Sequence, residues 1–161
     1  MFSRILVPLD GSKLAERVLP HASEFAHTFG ACVVLLQVLD PSTLGEGQQT
    51  LEPFTWQIRK AEADVYLKTT AARLKEQEDL AVETVLLEGK TAETIIDYAQ
   101  NQDIDLLVIS THGASGLSRW NTSSVFQTVI NKVYQHILVV RAYQGVDPET
   151  LDSYQVCDGR P

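Results

Sequence analysis

Ile5-Leu6-Val7-Pro8-Leu9-Asp10-Gly11-Ser12 sets five apolar residues directly before three turn formers near the start of the chain. A short apolar run closed by a turn reads as a buried strand that ends at Asp10. The pattern recurs downstream. Cys32 to Leu39 is a nearly continuous apolar run ending at Asp40-Pro41, and Val82 to Leu87 ends at Glu88-Gly89. Leu106 to Ser110 and His136 to Val140 complete a set of five strands. Runs this apolar suit strands covered on both faces, as in a parallel sheet.

Helical spacing fills the gaps between the strands. Ser12 is placed to cap a helix that carries Leu14, Val18, Ala22, Phe25, Ala26 and Phe29, with Pro20 inside it and Gly30 as its stop. Residues 42–53 have no periodicity and read as a loop. A long helix is expected over Thr55 to Glu78, with Ile58, Ala61, Val65, Leu67, Ala72 and Leu74 as its apolar face. Ile95, Ile96 and Ala99 mark a helix after Thr91, and Val125, Val129, Ile130 and Val133 mark the last one. The β-α-β-α-β-α-β-α-β order predicts an α/β fold, a doubly wound parallel sheet with helices on both faces. Residues 1–142 form the domain, and 143–161 read as a polar tail.

Composition narrows the function. The chain has 161 residues, 44% of them hydrophobic and 21% charged, which suits a globular domain with its own core. The net charge of −8 repels phosphate backbones and anionic lipid, so neither nucleic acid nor a membrane surface is expected as a partner. A small anion can still bind through backbone amides and helix N-termini. Two cysteines without metal-ligand spacing fit a reducing compartment. Ile5 to Leu9 is too short for a signal-peptide core, and no later run spans a membrane, so the expected location is the cytoplasm.

Ligands of doubly wound sheets sit beyond the carboxyl ends of the strands, where neighbouring connections leave on opposite faces. Strands one and four are the expected pair here. The first ends in Asp10-Gly11-Ser12 and the fourth in Thr111-His112-Gly113-Ala114-Ser115-Gly116. Gly113 and Gly116 can turn backbone amides toward phosphate oxygens, and Ser123 and Ser124 can add hydroxyls at a helix start. The same glycines also suit a sharp turn with no ligand, Asp10 also suits a helix cap, and His112 also suits a partner for local backbone groups.

Taken together, Ile5 to Ser12, the Leu35-Leu36-Gln37-Val38 strand, Thr111 to Trp120 and Ile137-Leu138-Val139-Val140 resemble the universal stress protein family, in its order and over about Phe2 to Arg141. The resemblance implies a five-stranded sheet of order 3-2-1-4-5 and a homodimer paired through Ile137, Leu138, Val139 and Val140. It implies ATP or AMP as ligand, with Pro8, Leu9 and Val38 beside adenine and Asp10 facing ribose or a magnesium ion. His112, Gly113, Gly116, Ser123, Ser124 and Val125 complete the implied nucleotide site. Ser123 stands where the family's ATP-binding members carry glycine, and 117–122 is a shorter stretch than theirs. Those two departures favour ligands that ask less of the loop, such as AMP, ADP or a cyclic dinucleotide.

No catalytic residue is assigned. The chain lacks the Walker sequence G-x-x-x-x-G-K-[ST], so hydrolysis is expected to be slow at most. Two other readings stand beside nucleotide binding: a nucleotide-free relative acting through protein contacts, and an enzyme of the ATP pyrophosphatase-like class. Asp10-Gly11-Ser12 lacks the pyrophosphate loop typical of that class.

Overall fold

The computed structural model describes residues 1–43, 53–111 and 125–141. Among these, β1 (Arg4–Pro8), β2 (Cys32–Leu39), β3 (Val82–Glu88), β4 (Leu106–Ser110) and β5 (His136–Val140) form one parallel sheet of order β3-β2-β1-β4-β5. Four helices connect them: α1 (Leu19–Phe29), α2 (Pro53–Glu78), α3 (Thr91–Asn101) and α4 (Val125–Lys132). The fold class and strand order agree with the expectation. None of the described helices is long and apolar enough to cross a membrane.

Alternation along the strands divides the core in two. Ile5, Val7, Val33, Leu35 and Val108 pack with Ala22 and Ala26 of α1 and Leu67, Ala71 and Leu74 of α2. Leu6, Val34, Leu36, Leu107 and Ile109 pack on the other face with Ile95, Ile96 and Ala99 of α3 and Val129 of α4. The central strands are therefore apolar on both sides, as their sequences required.

Backbone chemistry at one residue opens the sheet. Leu9 donates its N–H to the Leu36 carbonyl at 2.8 Å, so odd-numbered residues of β1 face β2. Even-numbered residues face β4: the Arg4 carbonyl accepts from the Asp105 N–H at 3.1 Å. Pro8 thus falls on the β4 side, where it has no N–H to give. The β1–β2 register runs on to Pro8↔Leu36, whereas the β1–β4 register comprises Ile5↔Leu106 and Leu6↔Leu107. Beyond those pairs the strand ends part.

The opposite end of the sheet is tied shut. Asp105 accepts from the N–H groups of Ser3 (2.7 Å) and Arg4 (3.0 Å), and these bonds hold its carboxyl below the usual range. The Arg4 guanidinium grips Glu83 of β3 through two contacts of 3.0 and 2.9 Å.

Two helical expectations need correction. The segment from Ser12 to Phe29 is not one helix: a 3₁₀ turn over Ala15–Val18 precedes α1. Pro20 cannot donate to the Glu16 carbonyl four residues back, and that carbonyl accepts instead from the Leu19 N–H. Pro20 lies in the first turn of α1, where a missing N–H leaves no bond unmade. Ser12 Oγ accepts from the N–H of Ala15, the first residue of that turn, at 3.1 Å, while Leu14 holds the cap position.

The expected apolar face of α2 is also wrong. At about 100° per residue, Ile58, Ala61, Val65 and Ala72 lie on one side and Leu67 and Leu74 on the other. The sheet takes the second side, burying Ala63, Leu67, Thr70, Ala71 and Leu74, and leaves Phe54, Ile58 and Val65 exposed. Replacing Leu67, 1% exposed, with Ala should cost about 2–5 kcal/mol, while Val65→Ala, at 62% exposed, should stay within about 0.5 kcal/mol. Urea unfolding of both variants checks this; equal losses would put the wrong side of α2 against the sheet.

Candidate functional site

Two strand ends frame the opened edge with the same device. At the end of β1, Asp10 Oδ1 accepts from both the N–H (2.9 Å) and the hydroxyl (2.6 Å) of Ser12. At the end of β2, Asp40 Oδ1 accepts from the N–H (2.8 Å) and hydroxyl (2.6 Å) of Ser42. An aspartate that bonds two residues ahead folds the chain away from the strand axis. The turn after Asp10 also needs Gly11, whose φ is +84°. Asp40 reaches further, its Oδ2 accepting from the Thr91 N–H at 3.3 Å at the start of α3. Burial opposes ionisation of Asp40, yet the bonds from Ser42 and Thr91 and the nearby Lys90 outweigh it and lower its pKa.

Between these turns lies a cavity of about 570 Å³, within the range of small-molecule sites. Its α3/α4 side is apolar, built from Val38, Ile95, Ile109 and Val125. Its α1/α2 side is polar, with Gln37 of β2 and Arg59, Glu62 and Tyr66 of α2. Burial is the largest cause that holds the Tyr66 phenol well above its usual range, and the charges of Glu16 and Asp10 add to it. Among the described residues the Tyr66 hydroxyl has no hydrogen-bond partner, although Glu16 and Thr70 are near enough to act on its titration.

The start of α2 is anchored beside this wall. Trp56, which also lines the cavity, donates its indole N–H to Glu88 at 2.9 Å, and Lys60 pairs with the same carboxylate at 2.5 Å. Those two contacts lower the Glu88 pKa. Farther along the helix Arg73 pairs with Glu16 at 2.7 Å.

The cavity brings together Pro8, Leu9, Asp10, Val38 and Val125, five of the residues singled out from sequence. His112, Gly113, Gly116, Ser123 and Ser124 lie outside the described residues, as do the polar tail and most of the loop expected over 42–53. Sequence reasoning missed the α2 wall and Gln37. A signal for each was present: Gln37 is the one amide in an apolar strand, and Trp56, Arg59, Ala63 and Tyr66 recur at helical spacing.

Comparison with known proteins bears on this arrangement directly. The universal stress protein family profile matches residues 1–141. The chain belongs to the universal stress protein family. It is 30% identical over 145 residues to universal stress protein MJ0531 of Methanocaldococcus jannaschii, covering 88% of this chain and 83% of that one. Among solved structures, universal stress protein UspA from Lactobacillus plantarum superposes with a TM-score of 0.75 at 24% identity, covering 87% of this chain and 98% of that one. A universal stress protein in complex with cAMP superposes with a TM-score of 0.66 at 19% identity, covering 88% and 98% of the two chains. At these identities the two superpositions speak for the fold.

Among the described residues a Cβ at Gly11 would meet nothing nearer than Gln37 Nε2 at 3.8 Å, so the strain of a substitution there lies in the backbone. Gly11→Ala should lose about 1–2 kcal/mol in chemical denaturation, and Gly11→Asn less, because asparagine tolerates positive φ. Equal stability of the alanine variant and the parent would show that the positive φ is not required.

Proposed function

We propose that this universal stress protein binds an adenine nucleotide, ATP, ADP or AMP, at the carboxyl edge of its sheet and acts as a cytoplasmic, homodimeric regulatory protein in the stress response. The observation that carries the reading is the cavity at the parted ends of β1 and β4, which gathers Pro8, Leu9, Asp10, Val38 and Val125. Its two sides match the two halves of a nucleoside. The apolar side around Val38, Ile95 and Ile109 suits the faces of a base, and the Asp10 side suits ribose hydroxyls. The cAMP-bound relative supports the same ligand class.

Magnesium would enter with the phosphates. Among the described residues no group of three or more His, Cys, Asp or Glu could hold a metal. Asp10 would therefore act as a single protein ligand alongside phosphate oxygens, a common arrangement for this ion. Among the described lining residues Arg59 is the one Lys or Arg, against Asp10, Asp40 and Glu62. A site with so little positive charge is poorly equipped to stabilise a transferring phosphoryl group, so hydrolysis is slow at most.

The edges of the sheet support pairing through β5. At one edge β3 carries Glu83 and Glu88, engaged by Arg4 and Lys60. At the other, Ile137-Leu138-Val139-Val140 carries no charge, and Val139 is 42% exposed. An uncharged apolar edge invites another strand. A second reading, action through protein contacts without nucleotide, is favoured by Phe54, Ile58 and Val65 on the outer side of α2.

A thermal-shift panel with ATP plus magnesium, ADP and AMP, after removal of copurified ligand, tests the proposal. A ligand at about 100 times its Kd should add roughly 2.7 kcal/mol and raise the midpoint by about 5–10 °C. Asp10→Ala should weaken binding about tenfold or more. No shift with any adenine nucleotide would favour the protein-contact reading.

A further inference from the structure

Two stripes run along α2. One is the buried stripe of Ala63, Leu67, Thr70, Ala71 and Leu74, which faces the sheet. On the opposite side Phe54, Ile58, Ala61, Val65, Lys68, Ala72 and Lys75 follow one another at alternating intervals of four and three residues. All of them are exposed, Phe54 at 70%, Ile58 at 42% and Val65 at 62%. That alternation is the heptad spacing of a coiled-coil seam, and at 1.5 Å per residue the stretch presents about 30 Å of it.

Leu67, Ala71 and Leu74 already supply the helix's share of the core, so Phe54, Ile58 and Val65 add apolar surface that the fold does not bury. The seam has two halves. Phe54, Ile58, Ala61 and Val65 are apolar, with Ala61 leaving a hole between larger neighbours, while Lys68 and Lys75 on either side of Ala72 make the second half cationic. Lys68 pairs with Asp64 on its own helix at 2.6 Å, an exposed contact that holds it weakly. Among the described residues Lys75 has no ion pair. A second copy of this chain matches the seam poorly. Parallel copies would set Lys68 against Lys68 and Lys75 against Lys75. Antiparallel copies would set the lysine half of one against the apolar half of the other, unless they overlapped by the apolar half alone.

We propose that the outer side of α2 is a docking surface for an amphipathic helix of another protein, laid antiparallel, with Asp or Glu facing Lys75 and Lys68 and large aliphatic residues facing Phe54 to Val65. Antiparallel packing puts the partner's acidic residues in its first turns, where its own helix dipole favours them. The seam lies away from the flank of α2 that lines the cavity, which carries Trp56, Arg59 and Tyr66, so docking and ligand binding use separate surfaces. The inference goes beyond the nucleotide reading and does not depend on it.

The probe is a synthetic helical peptide as long as the seam, with Glu at the two positions that face Lys75 and Lys68 and Leu at its other heptad positions. A second peptide carries Lys in place of both Glu. Fluorescence anisotropy with the full chain should show the Glu peptide bound about tenfold or more tightly than the Lys peptide. Ile58→Glu with Val65→Glu should weaken binding of the Glu peptide by about tenfold or more, and Lys68→Glu with Lys75→Glu should reverse the preference between the peptides. These positions are exposed, so both variants should keep the parent's thermal midpoint. A parent that binds neither peptide, or binds both alike, would overturn the proposal. So would a fall in the protein's sedimentation coefficient on Ile58→Glu with Val65→Glu, which would give the face to a second copy. Binding of the parent to vesicles of phosphatidylcholine and phosphatidylglycerol that this variant loses would also overturn it, in favour of a membrane surface.

Discussion

Pro8 cannot donate a main-chain hydrogen bond, and its position in β1 aims that deficiency at β4. Had the residue faced β2, the loss would have fallen inside the longer ladder of the sheet. As it is, β1 stays registered with β2 through Leu36 while its ladder with β4 comprises two residue pairs. The crevice at the carboxyl edge is thus written into the backbone of the first strand. Everything at the site follows from that edge being open, because the cavity needs the ends of β1 and β4 apart.

What lines the opening is set by two further local devices. Asp10 and Asp40 each clamp a serine two residues on and turn the chain out of the sheet. The first turn leads to the 3₁₀ segment and α1, and the second, through Thr91, is linked to the start of α3. The chain from both strand ends runs to helices on the α1/α2 face, while the Asp40–Thr91 bond also ties the end of β2 to a helix on the α3/α4 face. The cavity inherits one apolar wall from the α3/α4 core and one polar wall from α2, an asymmetry suited to a ligand with an apolar ring and a hydroxylated or charged remainder.

The strands were legible in the sequence because parallel strands buried on both faces leave little choice of residue: Ile5 to Leu9, Cys32 to Leu39 and Leu106 to Ser110 are apolar almost throughout. The turn at Asp10 was legible for a related reason, since Asp-Gly-Ser after such a run ends the strand, and the local bonding of Asp10 to Ser12 was one of the two readings it allowed. The orientation of α2 was not. Ile58 and Val65 outweigh Ala63 and Thr70 on any scale of hydrophobicity, yet a close-packed sheet accepts the small residues and leaves the larger ones outside. Misorienting α2 hid Trp56, Arg59 and Tyr66 as well, since which of its residues reach the strand ends depends on how the helix is rotated. Gln37 was visible as an interruption of β2, but only the structure sets it against the cavity.

The central claim is that a nucleotide occupies the edge opened by Pro8, and a crystal structure of the protein grown with AMP tests it most directly. The account predicts density for the base between Pro8 and Val38, its ribose beside Asp10 and its phosphate directed toward the start of α4. Saturating AMP with density elsewhere on the molecule, or with none, would contradict it.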